Sequence, residues 1–256
     1  MRVLVGIKRV PAVGGRIVLG ADGTGIDTRF LGFTTGPHEE CALEEAVRLV
    51  SARGGESVVV SIGPAEAEEQ LRYALSLGID RAVLLETGGP EAGPQATAAG
   101  LVGAIRALEG EGGAFDLVLF GNEAPDSGDF QVGIRVAEAL GRPCVTGVKS
   151  LEVAERDLTA GRDSGRGVEC YRVLLPAVVT VKEGLNLPRY PSLPGRIKAK
   201  TKPLERRPAE LGRDGLRSVG LRLPEADSRG ALSLGAGAAA APAVVELLGD
   251  LGVLSR

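Results

Sequence analysis

The sequence predicts a three-layer α/β fold built on a mostly parallel sheet, and three observations carry that prediction. Short apolar runs recur at "VLVGI" (3–7), "SVVVSI" (57–62), "AVLL" (82–85), "DLVLFG" (116–121) and "AVVTV" (177–181). They are β-branched and nearly continuous rather than alternating, which is how strands buried on both faces read. Helical patterns separate or follow the first four of them. Strand–helix alternation of this kind calls for right-handed crossovers and a parallel sheet covered by helices.

Each element has its own signature. "EECALEEAVRLVSARGG" (39–55) places Leu43, Val47 and Val50 on one helix face, with Ala42, Ala46 and Leu49 beside it. Its glutamates fall in the early turns, where they complement the helix dipole. "GPAEAEEQLRYALSLG" (63–78) has Pro64 near the first helical position and Gly78 just past the end. Residues 93–109 and 129–141 complete the helical series. The stretch 145–176 alternates and has a turn-rich centre, so an antiparallel excursion is expected before the last core strand. "EGLNLPRYPSLPGRIKAK" (183–200) threads Leu185, Leu187, Leu193 and Ile197 between three prolines and a basic tail. Leucines on a stiff, extended loop either tuck under the protein or are offered to a partner. Beyond 203 the chain is rich in Pro, Gly and Arg, with a short helix expected at 242–251. The expected organisation is an α/β domain over 1–202, including the excursion 145–176 and the loop 183–200. A C-terminal arm over 203–256 follows, lying across another surface.

Composition narrows the function. With 256 residues and a net charge of −3, no global pull toward nucleic acid or an anionic membrane is expected. Aromatics are 3% and Trp is absent, which argues against stacking platforms for single strands. No apolar run reaches the length of a membrane span. The chain opens on a strand pattern with no secretory h-region, and Cys41, Cys144 and Cys170 are widely spaced and fit reduced thiols. A cytoplasmic location is expected.

Several familiar sites are missing. There is no GxxxxGK[ST]. His38 is the only histidine, so His-rich metal sites and most catalytic triads are excluded, and no metal site is expected. "GAGAAA" (235–240) nearly matches a dinucleotide fingerprint but follows no clear strand. The better candidate is "GNEAPDSGDFQVG" (121–133), which leaves a strand at its carboxyl end and enters a helix. Ligands of open α/β sheets bind there. Gly128 allows close backbone approach, and amides around Asp129 to Val132 suit a phosphate. The alternative is that Asp126 and Asp129 simply cap a helix and face solvent. Beside a phosphate, these carboxylates would have to point away or meet a hydroxyl. "GIKRVPAVG", "SIGPAE" and "TTGPHEEC" are expected at the same sheet edge, enough to build an adenine-nucleotide pocket with Lys8 and Arg9 as charge partners. For His38, a surface or capping position is the competing reading.

Over about residues 1–202, and more weakly beyond, the chain resembles the beta subunits of electron transfer flavoproteins. Four segments carry the resemblance in order and spacing: "VLVGIKRV", "GPHEECALEEAVRL", "GPAEAEEQLRYALSLGIDRAVLL" and, most specifically, "LPAVVTVKEGLNLPRYPSLPGRIKAK". The resemblance implies a Rossmann-like, adenine nucleotide alpha hydrolase-like fold. It implies a heterodimer with an alpha subunit that holds most of an FAD. Electrons would pass from acyl-CoA or other dehydrogenases to a quinone reductase or another acceptor. The chain would then be an electron-carrier subunit with no catalytic residue of its own, the redox chemistry belonging to the flavin. The beta subunit would bury a structural AMP or, in electron-bifurcating forms, a second FAD.

Residue by residue, the implied nucleotide site falls on Gly6, Pro37, Ile62 and the loop members Gly121, Asn122, Glu123, Asp126, Ser127, Gly128, Asp129, Gln131, Val132 and Gly133. Val13 and His38 fall where the family approaches the flavin edge, positions that are aromatic in well-known members. Partner docking falls on Leu185 as anchor, with Pro188, Arg189 and Tyr190. Pro188, Pro191 and Pro194 would stiffen this loop, and Arg196, Lys198, Lys200 and Lys202 would steer an acidic surface. The C-terminal arm would pack on the alpha subunit. Two departures stand out. Gly36 occupies a position usually written Asn. Gly128-Asp129 with Gln131-Val132-Gly133 leans toward the bifurcating pattern without matching it, so AMP and a second FAD both stay open. A reading of a different class is a stand-alone adenine-nucleotide-binding regulatory module that needs no alpha subunit.

Overall fold

A computed structural model describes the chain apart from residues 13, 15–16, 90, 216–218, 225–231 and 255–256. In order it forms β1 (Arg2–Ile7), β2 (Val10–Pro11), β3 (Phe33–Thr34), α1 (Pro37–Arg53), β4 (Glu56–Gly63), α2 (Glu68–Leu77), β5 (Arg81–Glu86), α3 (Pro94–Gly112), β6 (Leu117–Gly121) and α4 (Val132–Leu140). Then follow β7 (Cys144–Val153), β8 (Asp157–Asp163), β9 (Val168–Leu174), β10 (Ala177–Val181), α5 (Leu193–Ala199), β11 (Leu204–Pro208) and α6 (Ala241–Asp250).

Among the described residues the main sheet has nine strands in the order β11-β5-β4-β1-β6-β10-β7-β8-β9. From β11 to β7 all neighbours are parallel, and β8 and β9 add antiparallel pairs. Alternating strand residues feed two cores, as a sheet covered on both faces requires. Val3, Val5 and Val59 pack with α1 and α2. Leu4, Val58, Val60 and Val118 pack with α3 and α4. This is the three-layer α/β architecture expected from the sequence. α1 starts with Pro37 in its first turn and stops at Gly54, whose φ of +73° suits glycine.

Four features differ from the sequence expectation. The excursion is continuous with the core: β7 runs parallel to β10 at Cys144 and Val145, then shifts register before Val148. Gly147, at φ +68°, supplies that irregularity, and the strand goes on into the β8–β9 meander. Second, Leu204–Pro208 joins the main sheet as an edge strand on β5, so the sheet runs past the expected boundary at 202/203. Third, Leu193–Ala199 is helical, with Ser192 Oγ accepting the Gly195 N–H at 3.1 Å and Pro194 in the first turn. The extended part of the leucine-rich loop therefore ends near 192. Fourth, Asp214 ties the start of the arm to the body by accepting N–H bonds from Gly93 (2.7 Å) and Ala96 (2.9 Å) at the head of α3. α6 lies within one residue of its expected span, and none of its residues is buried.

Candidate functional site

The chain runs outward from β1 through β4 to β5, then returns to place β6 on the other side of β1. Such a reversal opens a crevice outside the carboxyl ends of the strands. Gly6, Gly36, Pro37 and the loop after Gly121 meet there. A Cβ on Gly121 would lie 2.8 Å from Glu39 Cγ and 3.2 Å from His38 Cβ, so the first turn of α1 sits hard against the end of β6. A Cβ on Gly36 would lie 3.1 Å from Pro125 Cδ. The glycine in the position usually written Asn therefore admits the loop that follows β6. Ile62, at the end of β4, turns to the α3 side, where its Cδ1 would be 3.1 Å from a Cβ on Gly100.

The loop is held at defined points. Asn122 donates its N–H to Val181 O (2.9 Å) and accepts the Thr180 hydroxyl at Oδ1 (2.8 Å). Lys8 Nζ reaches both Asp126 oxygens, at 2.9 and 2.8 Å, and also pairs with Glu91. Burial pushes the Lys8 ammonium down, but bonds to Asp126 and Glu91 outweigh it and hold it above its ordinary value. Gly128 closes a turn onto Ala124 O (2.8 Å) at φ +60°. Ser127, Gly128 and Asp129 are exposed, and Glu123 is half-buried. Phe130 is half-exposed and takes φ +57°, a conformation uncommon outside glycine.

α4 then begins at Val132 with Gln131 as its N-cap residue and no side-chain cap. Gln131 Oε1 is turned to Arg135, accepting from Nε at 3.1 Å and Nη2 at 2.8 Å. Gly133 is buried against Thr180, where a Cβ would come within 2.4 Å of Cγ2. Neither Asp126 nor Asp129 caps the helix, although both are exposed as the alternative reading has them. An uncapped helix start behind a left-handed glycine fits a phosphate.

The space beside Gly6 is different. Gly6 pairs with Phe120 in register, and a Cβ on Gly6 would fall 2.2 Å from Phe120 Cε1. The ring, 5% exposed, occupies the notch that the family resemblance gives to a nucleotide. Arg9 also departs from expectation. Its guanidinium stacks over Phe33, 3.2 Å from the ring centroid, and does not face the loop.

Sequence reasoning missed Glu39. This buried residue accepts the Lys8 N–H at 2.7 Å and the Gly36 N–H at 2.9 Å, joining the end of β1 to the head of α1. Burial pushes its carboxyl up to about 8, against the pull of those two bonds and of Lys8. The available signal was its place three residues after Gly36, where an acid reaches back to the helix entry. His38 is half-buried, its Nδ1 without a partner. Burial draws its pKa down, with Glu123, Lys182 and Glu183 as charged neighbours. Val13 lies outside the described residues.

The leucine-rich loop leaves β10 beside this edge and divides its side chains. Leu185 is half-buried and packs on the α1–α2 core. Arg189 turns inward to Glu44, with Nε–Oε2 at 2.7 Å and Nη2–Oε1 at 2.8 Å. Pro188 is half-buried, whereas Leu187 and Tyr190 are 90% and 92% exposed.

No helix among the described residues is long and apolar enough to cross a membrane, and no group of metal-ligating side chains occurs among them. A family model for the electron transfer flavoprotein domain matches residues 32–211. The electron transfer flavoprotein subunit beta of Bacillus subtilis is 44% identical over 169 residues, 66% of this chain and 65% of the relative. The subunit beta of Bradyrhizobium diazoefficiens is 37% identical over 216 residues, 84% of each chain. The human subunit beta is 37% identical over 219 residues, again 84% of each. The matched region takes in the helix head, the uncapped loop and the leucine-rich segment together, and the chain belongs to the family of electron transfer flavoprotein beta subunits.

Proposed function

We propose that this chain is the nucleotide-binding and partner-docking half of a heterodimeric electron carrier. Its partner is an electron transfer flavoprotein alpha subunit. Electrons arrive from acyl-CoA or other dehydrogenases and leave to a quinone reductase or another acceptor. The flavin supplies the redox chemistry, so this chain acts by binding and orienting and not as a catalyst. Family membership leaves the stand-alone regulatory module without support. The observation that carries the site reading is the uncapped start of α4 behind Gly128, at the reversal point of the sheet.

In this reading the amides of 131–133 hold a phosphate, while Asn122 and Gly121 fix the loop's exit from β6. Asp126, already turned to Lys8, leaves the phosphate unopposed. The nucleotide is AMP, alongside one FAD shared with the alpha subunit. The arm beyond Asp214 packs on that subunit, which would cover Val244, Val245, Leu247 and Leu251, all at least one-third exposed in the free chain. Leu185 and the crest after it dock redox partners.

The test is to co-express both subunits, purify the heterodimer, denature it and identify the released nucleotides by chromatography and mass. One AMP and one FAD per heterodimer is the expected result. Two FAD and no AMP would assign the site to a second flavin and an electron-bifurcating form. A flavin-loaded heterodimer without a second nucleotide would overturn the assignment of 121–133.

A further inference from the structure

Pro188 and Pro191 stiffen the segment 183–192 but do not set which way its apolar side chains face. The segment presents Leu187 and Tyr190 almost fully to solvent, with Leu193 at 73% and Ile197 at 60% exposure just beyond. Apolar side chains on a free loop would fold back on the nearest apolar surface. Something has to hold this crest out.

Polar ties run from residues 186 and 189 to one face of α1. Cys41, Glu44 and Glu45 stand at the i, i+3, i+4 spacing that puts side chains on one helix face. Asn186 donates from Nδ2 to Cys41 O and to Glu45 Oε2, each at 3.0 Å. Glu44 takes the Arg189 guanidinium in a fork and also accepts the Arg189 backbone N–H at 3.1 Å. Both glutamates are only 6% exposed, in a helix whose neighbouring side chains fill the core. Carboxylates are seldom buried so far unless paired. Arg48 supplies one further bond to Glu45 at 3.2 Å, while every side-chain bond that Glu44 makes among the described residues goes to Arg189. Burial pushes the Glu44 carboxyl up, but the Arg189 bonds outweigh it and hold it below its ordinary value.

We propose that Glu44 is a positioning residue for partner docking: with Glu45 and Asn186 it clamps the loop so that Leu187 and Tyr190 stand out ready for the partner. This rests on the docking reading given above. Arg189 serves the clamp through its fork to Glu44, although its side chain stays 43% exposed. Pre-ordering the crest removes the cost of immobilising it on binding, which otherwise weakens association. Recognition at the crest is therefore apolar, and the cations that steer an acidic partner sit downstream at Arg196, Lys198 and Lys200.

The experiment uses the flavin-loaded heterodimer and an acyl-CoA dehydrogenase that reduces it, with steady-state kinetics in heterodimer concentration. Glu44→Gln and Arg189→Gln are each expected to raise KM about tenfold, the cost of re-ordering one or two side chains, with kcat and the flavin spectrum unchanged. The double variant is expected to be no worse than either single one, because both break one clamp. Limited proteolysis gives an independent readout, with faster cleavage in 183–192 expected for both variants. Leu187→Ser, on the exposed crest, tests the docking reading itself. Should Leu187→Ser raise KM while Glu44→Gln and Arg189→Gln leave it alone, the clamp proposal fails and docking survives. Should Leu187→Ser also leave KM unchanged, the loop is not the docking surface and both ideas fall. Lower thermal stability at unchanged KM would mark the Glu44–Arg189 pair as structural only and overturn the proposal.

Discussion

Gly6→Ala tests the geometry at the centre of the crevice. Glycine is required at this position by its neighbour and not by its backbone, since Gly6 is not among the left-handed glycines. A Cβ there would meet Phe120 Cε1 at 2.2 Å and Cδ1 at 2.5 Å. Ordinary carbon contacts begin near ~3.5 Å, so the ring edge must retreat by roughly 1 Å. It has little room, because Phe120 is 5% exposed and Leu4 and Val118 around it are fully buried. Overpacking of this kind costs about 1–3 kcal/mol. Replacing a strand glycine by alanine returns about 0.5–1 kcal/mol through the unfolded chain. The net expectation is a loss of about 1–2 kcal/mol, or a fall in Tm of roughly 2–8 °C for a chain of this size.

The assay is thermal unfolding of the heterodimer at fixed protein and nucleotide concentration for Gly6→Ala, Phe120→Leu and the double variant. Phe120→Leu makes room for the new methyl group, so the double variant should recover part of the loss. Additive effects would refute the contact, because residues that collide cannot have independent costs. The same Phe120→Leu variant also reports on function. If a nucleotide uses the notch beside Gly6, opening it should raise the amount of nucleotide that survives purification.

Burial holds Cys144 up to about 11 and also raises Cys41, so a thiol reagent at pH 8 should modify exposed Cys170 well before either, as peptide mapping would show. Asp214→Ala removes the carboxylate that serves the head of α3, and should cost about 1 kcal/mol and speed tryptic cleavage at Arg213; unchanged cleavage would mean the arm is held elsewhere. Glu39 has its carboxyl raised from 4.5 to about 8, so the unfolded chain ionises first and stability should decline as pH rises from 4.5 to 8. The ceiling on that decline is ~5 kcal/mol, at ~1.4 kcal/mol per pH unit. Glu39→Gln should flatten the decline, and a profile parallel to wild type would show that another group titrates.

What could be read from the sequence, and what could not, divides along physical lines. β1, β4, β5, β6 and β10 were legible because both faces are buried, so their composition alone is continuous and β-branched. β11, "LERRP", was not, because an edge strand needs only hydrogen bonds from one neighbour and can keep charged side chains. β7 escaped a single label because it serves two partners of opposite sense, β10 and β8, which overlap at Val148 just past Gly147. The place of the loop 121–133, between the carboxyl end of a core strand and a helix, was legible because that strand was. The roles of Phe120 and Glu39 were not, because each depends on which residues a crossover sets side by side. Gly6 meets Phe120 across a register fixed by more than a hundred intervening residues, and no periodicity encodes it.

The leucine-rich loop shows the same limit most clearly. Its sequence announces leucines, prolines and an arginine for a partner, and leaves open whether they tuck under or stand out. The fold does both, packing Leu185 partly into the body and exposing Leu187 and Tyr190. On the clamp proposed above, what separates the two fates is a pair of glutamates on a helix about 140 residues earlier, with Glu44 binding the arginine that the motif itself assigns to the partner. On that proposal the motif names the docking segment, and Arg189 serves it as a tie to α1.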